Sequence, residues 1–201
     1  MKAGSASTAM ASGSPTAKGS TVRGSYAFVK DRLGEAGLDD VRARVDADTR
    51  RVLDSAEATD ELPYRTLVTL WEAIDGLLGA AHPQWAEDAG AYAIDSVGVQ
   101  LYGGILRKAS PSAFLTQSIS LFRLYYHPGD ITVVEEVAGR AILRLTDFDP
   151  ITRLFCRRQT GGLRRAVELA GGESARVRHV RCSIEGDAFC EWQLEWHVPR
   201  G

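Results

Sequence analysis

Cys156, His179, Cys182 and Cys190 gather one histidine and all three cysteines of the chain into its last third, at metal-ligand-like intervals. Three sulfurs and an imidazole make a closed, soft donor set, of the kind that holds zinc structurally and leaves no position open for water. The stretch Cys182-Ser-Ile-Glu-Gly-Asp-Ala-Phe-Cys190 reads as a hairpin turning on Glu185-Gly186-Asp187. Such a turn sets Cys182 directly across from Cys190, with Cβ atoms about 4.5–5.5 Å apart. Cys156, near the start of the preceding helix, supplies a third sulfur. His179 resists: three residues before Cys182 on a regular strand it points to the other face, so its participation requires a bulge or an irregular strand start. The same thiols also read as small buried core residues, or as a cross-strand disulfide if the compartment were oxidising. Trp192 and Trp196 alternate with Cys190 and read most simply as core on the same sheet face.

The elements that must position these residues follow from periodicity. Tyr26, Phe28, Val29, Leu33, Leu38, Val41, Val45, Val52 and Leu53 recur at helical spacing, broken at Gly34 and Gly37, which gives two or three short helices. Pro63 suits the first turn of a helix whose buried stripe is Leu67, Leu70, Trp71, Ile74, Leu77 and Leu78, ending at Gly79. A glycine-interrupted helix follows from about 83 to 106, with close helix contact or a kink expected near Gly103. Ser110-Pro111 opens another through Tyr126, stopped by His127-Pro128-Gly129. From Asp130 the period changes to 2, giving a hairpin through Ile131, Val133 and Ile142 to Leu145. Asp149-Pro150 reads as a cap and first-turn proline for a helix ending at Gly171-Gly172, and a second hairpin closes the chain. The order is an α+β one: an N-terminal helical layer (20–128), then a β-β-α-β-β antiparallel sheet unit (129–199), in a single domain spanning 20–201.

Bulk composition excludes several classes. A net charge of −2, 25% charged and 44% hydrophobic residues argue against a nucleic-acid partner or a polybasic membrane anchor. The basic knots Arg157-Arg158, Arg164-Arg165 and Arg176 to Arg181 read as solvated faces. Residues 1–19 are rich in Gly, Ala, Ser and Thr and read as a disordered tail without the apolar core of a secretory signal. No run long enough to span a membrane is present, and free thiols suit a reducing cytoplasm.

The ending resembles something known. A Cys, then His-x2-Cys-x7-Cys with Gly186-Asp187 and an aromatic before the last Cys, looks like the vinyl-reductase-like small-molecule-binding domain. That domain occurs in phenol-responsive transcription activators and is related to subunits of the transport-protein-particle tethering complex. The plan of the chain, with Phe122-Arg123-Leu124-Tyr125-Tyr126 and its Arg-Cys-x3-Gly-Asp-x2-Cys ending, is similar to a myxobacterial paralogous family of uncharacterised single-domain proteins. The resemblance implies a zinc held by Cys156, Cys182 and Cys190, with His179 where the phenol sensors have a glutamate. It also implies an apolar pocket between helices and sheet, whose available aromatics are Trp71, Trp85, Tyr92, Tyr102, Phe114, Phe122 and Tyr126, and a volume of about 300 Å³ or more.

Three functions follow as expectations. The favoured one is a non-enzymatic sensor of a small hydrophobic or aromatic molecule, working as a homodimer and signalling through contacts with a downstream protein. Gly98 to Gly104 or the N-terminal helices are the dimer-face candidates. The second is an interaction scaffold like the tethering subunits, with no exchangeable ligand. An enzyme is third, since the sequence has no glycine-rich nucleotide loop, nucleophile elbow or paired-carboxylate signature. Haem-based gas sensing is a distant fold-level relative, discounted because His82 and His127, both beside proline, fall at helix boundaries.

Overall fold

The computed structural model describes residues 14–98 and 110–198. A short strand β1 (Thr16–Lys18) leads into α1 (Gly19–Ala43), α2 (Ala47–Ser55), β2 (Glu61–Pro63) and α3 (Tyr64–Leu78). Next come α4 (Trp85–Ala93), a π-helical turn (Ile94–Gly98), α5 (Pro111–Tyr125) and β3 (Tyr126–His127). The C-terminal part is β4 (Asp130–Val137), β5 (Arg140–Thr146), α6 (Arg153–Leu169), β6 (Glu173–Arg181) and β7 (Cys190–His197). This is the α+β, helices-then-antiparallel-sheet architecture that the sequence pattern indicates.

The larger sheet has the order β4-β5-β7-β6, and every neighbouring pair is antiparallel. The smaller one, β2-β1-β3, ties residues 16–18, inside the stretch read from composition as a tail, between two later segments. Strands of two or three residues carry no readable alternation, which is why the sequence did not announce them.

Local chemistry explains most boundaries. Ser110 accepts the Ala113 N–H through its hydroxyl and Pro111 opens the first turn of α5, as the Ser-Pro signal requires. Gly34 at φ 70° breaks α1, and Gly139 at φ 80° makes the β4–β5 turn, conformations that favour glycine. One boundary differs from expectation. The cap of α6 is Thr152, whose hydroxyl accepts from the Leu154 N–H, not Asp149. Asp149 instead accepts from the Ile151 N–H, and Ile151 takes a positive φ, so the chain turns once more before the helix can start.

The core runs through both parts. Leu67, Leu70, Trp71 and Ile74 of α3 and Ala141, Leu143, Trp192 and Leu194 of the sheet are fully buried. Between the layers, Tyr64, Phe122, Tyr126, Phe148 and Phe155 pack with ring centroids 5.0–6.5 Å apart. The Tyr64 hydroxyl donates to the Pro150 carbonyl at 2.9 Å, which removes the penalty of burying it. Helices α4 and α6 approach so closely that a Cβ at Gly90 would overlap the Arg158 carbonyl and one at Gly161 the Glu87 carbonyl. Among the described residues, no helix is long and apolar enough to cross a membrane. Tyr102 and Gly103, with the kink expected there, lie outside the described residues, as does most of Gly98 to Gly104.

Candidate functional site

Two features can carry chemistry, one on each side of α6. On the sheet side, Cys156 from the first turns of α6, His179 of β6, Cys182 just beyond it and Cys190 at the start of β7 converge, with donor atoms all within 4.8 Å of one another. Register explains how. Arg181 pairs with Glu191 and His179 with Trp192, so a residue is slipped between His179 and Arg181. That bulge is the irregularity that brings His179 to the face occupied by the thiols. The turn is more elaborate than a three-residue loop. Ser183–Glu185 form a single 3₁₀ turn, Gly186 sits at φ 98°, and the Asp187 carboxylate accepts the Cys182 N–H at 2.8 Å.

The three thiols of the cluster are buried, free of disulfides and paired with neighbouring donors or acceptors. Cys156 and Cys190 sulfurs are 3.9 Å apart, and the Ser183 hydroxyl lies 3.3 Å from Cys190. Cys156 is pushed up by its hydrogen bond to Cys190 and by burial, whereas Cys190 is held down, against its burial, by the hydrogen bond from Cys156 and then by those from His179 and Ser183. The His179 ring stacks on Trp192 at 4.8 Å between centroids, with its buried Nε2 lacking a hydrogen-bond partner.

On the helical side of α6, a cavity of about 130 Å³ lies between α1, α4 and α6. Ser20, Thr21 and Gly24 form one wall, Gly90, Ala93 and Ile94 a second, and Tyr125, Tyr126, Arg158, Gln159 and Gly162 the rest. Arg158 is 8% exposed and its Nη1 has no hydrogen-bond partner. Its Cζ sits 4.8 Å from the Trp71 ring centroid, and burial lowers its pKa. The reading of Arg157-Arg158 as a solvated knot is therefore corrected. Arg157 does reach the surface and pairs with Glu87 at 2.6 Å, but Arg158 is one position round the helix, on the stripe of Leu154, Phe155 and Gly162.

The aromatics expected to line a pocket are mostly elsewhere. Tyr126 lines the cavity, its phenol pushed up to about 12 by burial. Trp71 supports Arg158 from beneath. Trp85 is fully buried and donates from Nε1 to Asp75 at 2.6 Å, Tyr92 packs edge-on against Phe28, and Phe114 and Phe122 belong to the core. Arg158 was missed because a single charged residue on an apolar stripe looks like noise. The usable signal was its place three residues after Phe155 and four before Gly162.

No family model matches the sequence, and no curated protein matches it. Solved structures do match in fold. An Fe(II) unliganded H-NOX protein from K. algicida aligns with a TM-score of 0.71 and 13% identity over 90% of this chain and 97% of that one. An H-NOX protein from S. oneidensis in the Fe(II)NO state aligns at 0.69 and 13%, over 90% and 99%. A third neighbour, from work on haem redox potential and porphyrin distortion, aligns at 0.66 and 12%, over 92% and 97%. These matches overturn the likeness to the vinyl-reductase-like domain, the myxobacterial paralogous family and the tethering subunits, whose specific part was the cysteine and histidine spacing at the end of the chain. They also overturn zinc as the cofactor: the similar structures are iron proteins, and ligand-like spacing reports that side chains meet, not which ion they hold. At this level of identity the conclusion is one of architecture: the chain has the H-NOX fold.

Proposed function

We propose that this chain is a non-enzymatic sensing domain that takes a small molecule into the cavity between α1, α4 and α6 and passes the change on through protein contacts, as a homodimer. The observation that carries this reading is the cavity itself, a partly open space walled by three helices, with a charged side chain buried at its edge. Solved structures of the same fold described in Fe(II), NO-bound and haem terms support a sensing role.

Haem does not fit the cavity between α1, α4 and α6 as the described residues line it. A porphyrin needs a pocket within the roughly 300–1,000 Å³ usual for such ligands, and the cavity holds about 130 Å³. Haem iron also needs an axial His, Cys, Met or Tyr. His82 is committed to Asp88 at 2.8 Å, His127 and His197 are exposed, and His179 and all three cysteines sit in the cluster on the other side of α6. The only methionines are Met1 and Met10; of the two tyrosines in the lining, Tyr125 and Tyr126, burial pushes the Tyr126 phenol up, away from the phenolate that iron would bind, and Tyr102 lies outside the described residues. Titration of the purified protein with hemin should give no saturable, one-to-one shift of the Soret band. Differential scanning calorimetry against a panel of small aromatic and aliphatic molecules should find compounds that raise Tm. A panel without effect removes the sensing role.

Cys156, His179, Cys182 and Cys190 are proposed as one site on the strength of their convergence within 4.8 Å. Elemental analysis for d-block metals, on protein prepared without a metal-charged column, tests it. Stoichiometric metal makes them a ligand set, and less than about a tenth of an equivalent leaves them as packed thiols fastening β6 and β7 to α6.

A further inference from the structure

The buried guanidinium of Arg158 sets the chemistry of whatever enters the cavity. It is more than nine-tenths buried, Nη1 has no partner, and no ion pair joins it to any carboxylate among the described residues. A buried, unpaired charge is costly and persists only when something compensates it. The Trp71 face supplies part of that compensation, a cation–π contact that holds the group in place from below. Arg158 also lines the cavity, where a ligand could meet the guanidinium. Arg157, its neighbour, shows the contrast, since Glu87 takes two of its donors.

We propose, building on the ligand-sensing reading, that the cavity binds a small apolar monocarboxylate, its carboxylate paired with Arg158 and its hydrocarbon part against Ala93, Ile94 and the Tyr126 ring. Charge favours a monoanion, because Arg158 is the single cationic side chain in the lining among the described residues; a phosphate dianion would bring a second negative charge with no partner. The guanidinium fork matches the two oxygens of a carboxylate. Size sets the rest. A cavity of about 150 Å³ accommodates benzene, so about 130 Å³, open at one side, suits a short acid of about butyrate size, with part of a benzoate ring or any longer tail directed outward.

The test is a comparison of acids with their neutral amides on the full chain: butyrate with butyramide and benzoate with benzamide, with sodium chloride at equal ionic strength as the inorganic anion control. The expected result is that at least one acid raises Tm by about 5–10 °C at a hundredfold excess over its Kd, while its amide binds at least tenfold more weakly and chloride does not compete. In Arg158→Met the acids shift Tm by less than about 1 °C, and the unliganded variant melts no lower than the parent because the stranded charge is gone. Equal shifts by acid and amide overturn the carboxylate while leaving the ligand pocket standing. Chloride competing as strongly as the acids also overturns it, in favour of an inorganic anion. No shift with any compound overturns both this inference and the sensing role. The acid-against-amide comparison needs no variant, so misfolding of Arg158→Met would not shield the proposal.

Discussion

Two residue environments on α6 define the molecule's chemistry, and they differ in how they are satisfied. The thiols answer one another and Ser183, leaving the His179 Nε2 as the unanswered atom of the cluster. Arg158 has an unanswered donor. Cys190→Ala leaves Cys156 and Ser183 without their acceptor in a buried site, and should cost about 2 kcal/mol in urea denaturation, whereas Ile184→Ala, at an exposed position of the same turn, should stay within about 0.5 kcal/mol. The convergence of Cys156, Cys182 and Cys190 was legible because a hairpin has few registers. His179 was legible only conditionally, since a bulge is a one-residue insertion that no spacing rule reveals. Arg158 was not legible, because adjacent arginines that differ by about 100° around a helix look identical in sequence.

At the scale of elements, the contact between α4 and α6 is set by glycine. Gly161→Ala drives a methyl group into the Glu87 backbone carbonyl, and backbone cannot rotate away as a side chain can. The expected loss is about 3 kcal/mol, read as a fall in the urea midpoint. Asp46 tests a helix start. It caps α2, and the N–H groups of Thr49 and then Asp48 hold its carboxyl below the usual value. Because the folded pKa is depressed, the stabilisation is present above the unfolded carboxylate value of about 3.9 and is lost as pH falls through the folded one. Asp46→Ala should therefore lower Tm at neutral pH, and the gap from the parent should narrow as the solution is acidified through that window. Long helices and the hairpins were readable because period and end signals agreed at Ser110-Pro111 and Gly139, while Pro63, read as a first-turn residue, ends β2 just before α3. The small sheet was not, since its strands are too short to show a period and are held by partners more than 40 residues away.

For the whole molecule, helices followed by β-β-α-β-β were visible in the change of period at Asp130, but the fold relationship was not. Sequence likeness favoured one spacing pattern at the end of the chain, while the architecture of nine-tenths of it matches H-NOX proteins at 13% identity. Packing tolerates nearly complete substitution when volume and pattern are kept, so a fold can persist where sequence identity has fallen to 13%. Here aromatic rings of the described residues pack between helices and sheet, and the cavity beside Arg158 is of small-molecule size. Native mass spectrometry of the gently purified protein tests this directly. The account predicts a non-covalent adduct far lighter than haem, at one per chain and lost on activation. A stoichiometric haem adduct, or bare protein that no small molecule converts to a complex, would contradict it.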